Sequence, residues 1–196
     1  MDLGNIFLIM ALITTIYAIA AQVHGIRSRN IALIESTRNA IFANAILFTF
    51  AALWLFYLLI SRDFQNIYVA GYTSRDLPLF YTIGAFWAGQ EGSFLLWGWL
   101  LSIYAAIVVF TSKKDDMLTW NCTAILMLVM LFLVFMLEFI ANPFNRYNFI
   151  PPDGAGLNPL LQDPGEFFHP TTLFIGYAGF AVPFSFAMAG ILINND

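Results

Sequence analysis

The sequence predicts an all-α integral membrane protein in which residues 1–196 form a single membrane domain of about five transmembrane helices. Hydrophobic residues make up 60% of the chain and charged residues only 10%, whereas a soluble domain carries about 25% charged residues. Five apolar runs approach the roughly 20 residues that a helix needs to cross the hydrocarbon core. Because these runs are continuous and do not alternate with polar residues, a transmembrane β-barrel is disfavoured.

The apolar runs place the five helices at roughly residues 6–23, 40–60, 93–110, 121–141 and 170–193. We interpret the first as a retained membrane helix, because no positively charged segment precedes it and no small-residue cleavage pattern follows it. The polar stretch 24–39 is predicted to be a loop. The stretch 78–92, PLFYTIGAFWAGQEG, is too interrupted by glycine to span a membrane by itself.

Orientation is predicted from Lys and Arg, which are retained in short cytoplasmic loops. One side of the predicted membrane holds Arg27, Arg29, Arg38, Lys113 and Lys114, and the other side holds Arg62, Arg75 and Arg146. This bias places the N-terminus outside and the C-terminus inside. The two long connections, after the second and fourth helices, are then predicted to be outer loops, where functional residues usually concentrate.

Charge and cysteine content exclude several classes of function. The net charge of −4 is spread through the loops without a basic tract, so nucleic acid is not an expected partner. The single cysteine, Cys122, excludes an internal disulfide and a Cys-x-x-Cys redox pair. The chain also lacks the Cys-x-x-Cys-His motif of haem attachment, so it is not itself a c-type cytochrome.

The stretch 158–180, NPLLQDPGEFFHPTTLFIGYAGF, contains the first candidate site. Pro170 is expected at the first position of the fifth helix, which puts His169 at the helix start, on the water side of the interface. Asp163 and Glu166 precede it, and a carboxylate on the second ring nitrogen is the usual support of a metal-binding histidine. The alternative, which residue type and place alone favour, is an ordinary hydrogen-bonding histidine at the interface.

A second candidate site lies at the start of the third helix, in WAGQEGSFLLWGW. Glu91 is expected just before the first helical turn, where the helix dipole favours a carboxylate. Gly89 and Gly92 permit a backbone bend or the close approach of a flat ligand. Trp87 offers a large apolar surface, although an interfacial aromatic belt explains tryptophans here equally well.

Two further charged residues are candidates because of their place near the membrane. Arg146 is the one arginine or lysine of the second long connection, and we expect it either to pair with a ligand carboxylate or to anchor the loop at the interface. Glu138 lies near the outer end of the fourth helix, where a carboxylate needs water or a partner.

Two long motifs, FYTIGAFWAGQEGSFLLWGWLLS and NPFNR...DGAGLNPLLQDPGEFFHPTTLFIGYAGFAVPFSFAMA, resemble the CcmF family of cytochrome c-type biogenesis proteins. They stand in the order of the N-terminal part of that family and are separated by one membrane helix. The resemblance implies a subunit of a cytochrome c haem lyase, which receives haem from the chaperone CcmE and attaches it to an apocytochrome at the outer membrane face. It also implies a bacterial or archaeal cytoplasmic membrane, or the mitochondrial inner membrane.

The resemblance assigns roles to the candidate residues. His169 would be an axial ligand of the iron of haem b, and the remaining residues would support it or shape its pocket: Asp163, Glu166, Trp87, Glu91 and Arg146. The expected partners are a C-terminal CcmF half, CcmE, a CcmH-type protein that handles the apocytochrome, apocytochrome c and the lipid bilayer.

The chain departs from the family in ways that leave alternatives open. Gln90 stands where the family has a histidine, and Thr171 replaces a proline. The family is normally several times longer, and its tryptophan-rich segment and other histidines lie beyond this chain. We therefore expect a truncated or naturally split protein, and the polar ending LINND favours the split form. The alternatives are a scaffold subunit that does not ligate haem and, ranked last, an ion- or proton-translocating subunit that uses Glu91 and Glu138.

Overall fold

The computed structural model describes residues 2–113 and 116–194, and only the backbone of Glu166 and Asn194. Within these residues the chain is all-α, as predicted, and contains no strand. Its helices are α1 Leu3–Ser28, α2 Ile31–Ser61, α3 Ile67–Tyr72, α4 Leu79–Gly84, α5 Gln90–Thr111, α6 Met117–Phe139 and α7 Pro164–Asn194. Single 3-10 turns lie at Ala85–Trp87 and Pro159–Leu161.

Five helices of the described chain are long and apolar enough to cross a membrane, which confirms the predicted number. They are α1, α2, α5, α6 and the Phe167–Ile193 part of α7. The helix α1 packs against α2 and α6, whereas α5 packs against α2, α6 and α7. Fully buried apolar side chains such as Phe48, Phe86 and Phe144 fill the space between them.

The predicted loop 24–39 is wrong, because only Arg29 and Asn30 lie outside helices. Arg29 ends α1 in the left-handed conformation with φ 52°, and the Asn30 side chain accepts a hydrogen bond from the Leu33 N–H at 3.3 Å to begin α2. The polar residues of this stretch therefore lie on helical ends. Arg38 of α2 donates to the Val109 carbonyl oxygen at 2.8 Å, near the C-terminus of α5, where a cation is favourable.

The predicted start of the fifth membrane helix is also wrong, because α7 begins at Pro164, six residues before Pro170. The Asp163 carboxylate accepts a hydrogen bond from the Gly165 N–H at 2.7 Å, and Pro164 takes the first helical position, where no N–H is needed. Pro170 lies inside the helix, where it cannot donate to the carbonyl of Glu166. His169 consequently lies in the second turn of α7.

An ionic cluster joins three parts of the chain at the end of the bundle that carries the long connections. The guanidinium of Arg146 lies 2.9 Å from the carboxylate of Asp2, before α1, and 2.9 Å from that of Asp63, after α2. Asp2 is almost completely buried, with its side chain 3% exposed, and it also accepts a hydrogen bond from the Trp54 indole at 2.7 Å. Arg146 therefore neutralises a buried charge.

The two long connections meet at this same end, which we call the loop-bearing end. The Ile67 N–H donates to the Asn145 carbonyl at 2.9 Å, and the Tyr147 N–H donates to the Gln65 carbonyl at 2.8 Å. Farther along, the Asp153 carboxylate accepts hydrogen bonds from the Arg75 N–H at 2.9 Å and the Gly154 N–H at 2.7 Å. The two connections therefore share one surface.

Replacing Arg146 by alanine is expected to destabilise the bundle by about 1–3 kcal/mol, because the buried Asp2 carboxylate loses its cation. The exposed Arg75 makes no side-chain hydrogen bond in the described chain, so Arg75→Ala is the matched control and should stay within about 0.5 kcal/mol of the wild type. Buried Cys122 reports unfolding when a thiol-reactive dye is added during heating. Equal melting temperatures for the two variants would contradict this role for Arg146.

Acid is expected to release the second connection from the first. Two backbone hydrogen bonds lower the pKa of the Asp153 carboxyl below its ordinary 3.8. The larger effect comes from the Arg75 N–H and the smaller from the Gly154 N–H. The contact is therefore fully present above pH 3.8 and is lost as the pH falls through the lower folded pKa. Hydrogen exchange of the amides of Arg75 and Gly154 should accelerate in that range, relative to Asp153→Asn measured at each pH. A wild-type profile parallel to that of Asp153→Asn would argue against the contact.

Candidate functional site

The two sequence motifs come together in an aromatic cluster at the loop-bearing end. The indole of Trp87 lies edge-on against the ring of Phe167, with centroids 5.0 Å apart and planes at 72°. Phe80 of α4 stacks on Phe167 at 4.2 Å and 22°, and Phe168 lies edge-on to Phe167 at 5.1 Å. We call Phe80, Trp87, Phe167 and Phe168 the aromatic cluster. Phe168, a member of the cluster, directly precedes His169 on α7, so the cluster and the candidate histidine belong to the same part of that helix.

The imidazole of His169 is exposed and makes no hydrogen bond or ion pair with any side chain that the structure describes. Its backbone carbonyl accepts a hydrogen bond from the Thr172 hydroxyl at 2.9 Å. Phe168 beside it is 62% exposed, so the surface around the ring is apolar. Among the described side chains, neither ring nitrogen has a partner.

A small cavity of about 50 Å³ lies beneath this part of α7. Tyr81, Trp87, Leu161, Phe167 and Pro170 form part of its wall, and none of the described side chains that line it is charged. The volume corresponds to roughly three or four water-sized groups. The described wall of this cavity, which includes Pro170 next to His169, is thus mainly apolar and aromatic.

The turn that carries Trp87 is held by Tyr68 of α3, whose hydroxyl lies 2.9 Å from the Ala85 carbonyl oxygen. The same hydroxyl accepts a hydrogen bond from the Gly89 N–H at 3.0 Å. A Cβ on Gly89 would overlap the ring of Tyr72. Gly89 therefore does not leave room for a flat ligand, because the ring of Tyr72 fills the space beside it.

The environment of the two tyrosines is reflected in their acidity. Burial raises the pKa of the Tyr68 phenol far above its usual value of 10.0. Burial and, secondly, the nearby charge of Glu91 raise the pKa of the Tyr72 phenol. Glu91 is half-buried and lies inside the first turn of α5, because that helix begins at Gln90, three residues earlier than predicted.

The other predicted supports of His169 have contacts elsewhere in the described chain. The Asp163 carboxylate accepts a hydrogen bond from the Gly165 N–H, and His169 follows six positions later, about 9 Å farther along the helix axis. Arg146 is paired with Asp2 and Asp63. The side chain of Glu166 lies outside what the structure describes. Of the predicted pocket residues, the structure brings Trp87 next to the His169 segment.

Sequence reasoning missed Phe80, Phe167 and Tyr68. Phe80 and Phe167 lie within the two motifs, so the motifs contained a signal, but their pairing depends on how α4 meets α7. Tyr68 lies in the short helix α3, in a connection without any motif. Nothing in its sequence neighbourhood distinguishes it from an interfacial tyrosine.

The fold and this site define a class, which is a helical membrane protein with an exposed histidine beside an aromatic cluster at one membrane surface. Residues 87–196 match the family described as cytochrome C assembly protein. The chain belongs to this family, and its resemblance to an N-terminal CcmF-like part is confirmed.

Curated relatives match nearly the whole chain. It is 36% identical to the cytochrome c-type biogenesis protein CcmF of Escherichia coli (strain K12), over 97% of this chain and 30% of that protein. It is 34% identical to the cytochrome c-type biogenesis protein NrfE of Haemophilus influenzae, over 100% of this chain and 31% of that protein. The chain therefore spans about three-tenths of the length of these relatives.

A solved structure named cytochrome c heme lyase CcmF has the same fold. The TM-score is 0.84 with 24% sequence identity, over 98% of this chain and 30% of that chain. The five apolar helices and the homologues together make the chain an integral membrane protein of this family.

The glycines of the first motif are expected to differ sharply from those of α7 in their tolerance of a side chain. A Cβ on Gly92 would overlap the Phe86 carbonyl oxygen and the Tyr68 hydroxyl, so Gly92→Ala should cost about 3 kcal/mol. Gly176 in α7 has no atom within 4 Å of that position, so Gly176→Ala should be neutral or stabilise by about 0.5–1 kcal/mol. Dye labelling of Cys122 during heating measures both, and comparable losses would refute the close packing at Gly92.

Proposed function

We propose that this chain is part of a cytochrome c haem lyase and that His169 holds the iron of haem b, the substrate, at the outer membrane face. The observation that carries the proposal is the exposed imidazole beside the aromatic cluster, without a partner in the described chain. A structural histidine at an interface normally hydrogen-bonds to a neighbour. An available ring nitrogen in an apolar surrounding instead suits axial ligation of haem iron.

The residues around His169 fit a flat, apolar substrate. Large apolar side chains are exposed at the loop-bearing end, including Leu79 at 57%, Phe80 at 41%, Leu160 at 80% and Phe168 at 62%. Such exposure next to a candidate ligand is typical of a surface that is covered when substrate or a partner binds. These side chains would support the macrocycle while its edge stays accessible to water.

The chain would contribute positioning, not a nucleophile. In thioether formation a cysteine thiol of the apocytochrome adds across a haem vinyl group, and no group of the lyase is consumed. Cys122, the single cysteine of this chain, is buried in α6 and is not available for such chemistry. What His169 supplies is a bond that fixes the iron, and so the vinyl groups, relative to the incoming thiols.

The position of the loops and the length of the relatives support the proposed outer face and partners. Both long connections lie at one end of the bundle, opposite the more basic loops, which favours that end being outside. The chain is three-tenths as long as its relatives, so we propose that a C-terminal CcmF-like half supplies a second haem ligand. CcmE, a CcmH-type protein and apocytochrome c complete the proposed set, in a bacterial or archaeal cytoplasmic membrane or the mitochondrial inner membrane.

Two alternative functions have observations in their favour. A scaffold subunit is supported by the exposure of α7. Only 17% of its apolar membrane-spanning stretch is buried, compared with 33–44% for the other four spans, so it presents a broad face to another helix. Gln90, in place of the family's histidine, is also consistent with lost chemistry. A proton-translocating subunit rests on Glu138, where one carboxylate oxygen is buried without a hydrogen bond in the described chain.

His169→Ala is expected to weaken haem binding by roughly a hundredfold, because one iron–nitrogen bond is lost. The chain's other histidine, His24, is exposed near the C-terminus of α1, away from the loop-bearing end. His24→Ala is therefore the matched control and should bind haem normally. Binding is measured by the Soret band after co-expression with a candidate C-terminal chain and haem-loaded CcmE.

A cavity variant sharpens this test. His169→Gly should recover the Soret band when free imidazole is added, because a small ligand then replaces the missing side chain. A band that survives His169→Ala, in a complex that still assembles, would refute ligation by His169 and favour the scaffold. Loss of assembly in His169→Ala but not in His24→Ala would mean that the residue is structural.

A further inference from the structure

The hydroxyl of Tyr68 is a buried hydrogen-bonding centre that the proposed function does not use. It lies 2.9 Å from the Ala85 carbonyl oxygen and 3.0 Å from the Phe86 carbonyl oxygen, so these two acceptors share its proton. It also accepts a hydrogen bond from the Gly89 N–H at 3.0 Å. The side chain is 4% exposed. One hydroxyl thus satisfies backbone groups on both sides of Trp87.

The turn held by Tyr68 is connected in two directions. Phe86 stacks on Phe56 of α2 with ring centroids 4.3 Å apart, which attaches the turn to the bundle. The Ser93 hydroxyl donates to the Trp87 carbonyl oxygen at 3.1 Å, which attaches the turn to α5. Tyr68, Phe86 and Ser93 therefore fix the backbone around Trp87, and the direction of its indole depends on these contacts.

The indole of Trp87 is in turn a support for the beginning of α7. It lies against Phe167 at 5.0 Å, and Phe80 stacks against the same ring at 4.2 Å. A Cβ on Gly84 would lie 3.2 Å from the Phe167 ring, so the fit on this side is tight. Since Phe167 and His169 belong to adjacent turns of one helix, a displaced indole moves the backbone that carries the imidazole.

We propose that Tyr68 is a positioning residue of the haem site, whose hydroxyl holds the turn that carries Trp87 and thereby sets the position from which His169 meets the iron. The inference rests on the function proposed for His169. Because Tyr68 is buried beneath the turn, its effect on haem would pass through Trp87. Removing the hydroxyl should loosen the turn while the apolar packing of the ring is retained.

Tyr72 provides a matched comparison in the same short helix. Its ring lies 4.7 Å from that of Tyr68, and its hydroxyl makes no hydrogen bond with the residues that the structure describes. Tyr68→Phe and Tyr72→Phe each remove one oxygen atom. Only the first removes the acceptor of the Gly89 N–H and the hydroxyl donor to the Ala85 and Phe86 carbonyls, of which Ala85 keeps the Ala88 N–H.

The test measures Trp87 and haem separately. The protein is labelled with 5-fluorotryptophan, the Trp87 fluorine resonance is assigned with Trp87→Phe, and spectra are recorded without haem. Haem is then titrated into the complex used for the His169 test, for Tyr68→Phe, Tyr72→Phe, Trp87→Ala and the double variant Tyr68→Phe/Trp87→Ala. Labelling of Cys122 on heating reports stability independently.

We expect Tyr68→Phe to shift or broaden the Trp87 resonance and to weaken haem binding about tenfold, as for the loss of one buried polar contact. Tyr72→Phe should change neither. In the Trp87→Ala background, Tyr68→Phe should have no further effect on haem, because residues that act through one another are not additive.

Three results would each overturn the positioning role. They are an unchanged Trp87 resonance in Tyr68→Phe, an equal loss of haem affinity in Tyr72→Phe, and additive losses in the double variant. Failure of the proposed function has a different signature, because wild type and His169→Ala would then give the same haem titration. In that case the role of Tyr68 in haem positioning is wrong as well, whatever the resonance of Trp87 does.

Discussion

Backbone groups outside helices must find hydrogen-bond partners, and the loop-bearing end of this bundle depends on three polar side chains that provide them. Asn66 is fully buried, donates to the Pro143 carbonyl at 2.9 Å and accepts from the Val69 N–H at 2.9 Å. Tyr68 satisfies the turn before α5, and Asp153 binds the backbone of the other connection. Each side chain fixes one irregular segment against another, so the two connections form one ordered surface.

This ordered surface explains how a histidine outside the bundle core can be placed precisely. His169 belongs to the second turn of a helix whose first turn is capped by Asp163 and packed through Phe167. A ligand on a hydrogen-bonded helix keeps its direction better than one on a free loop, which matters when an iron atom has to be held at a fixed distance. Under the proposed function, the apolar and aromatic neighbours would face the flat substrate and leave the ring nitrogens to the iron.

The same arrangement separates structural from chemical roles among the charged residues. Arg146, a plausible partner for a substrate carboxylate on sequence grounds, is instead used to neutralise the buried Asp2. Glu91 remains half-buried near Tyr72, and its charge is felt by that phenol. Of the residues singled out from the sequence, Arg146 thus has a structural contact, whereas the exposed imidazole of His169 has none among the described side chains.

Periodicity, composition and motifs determined the class of fold, the number of membrane helices and the family, because apolar runs of sufficient length have few alternatives in a bilayer. They also singled out His169 and Trp87. The start of α7 could not be predicted, because the sequence offers two similar helix starts, at Pro164 after Asp163 and at Pro170 after His169. The earlier start is the one that includes Phe167 in the helix, where its ring packs against Trp87. The meeting of Trp87 with Phe167, and the dependence of that turn on Tyr68, were decided only by tertiary structure. Residues so far apart in sequence are brought together by the packing of α5 against α7, which no local pattern encodes.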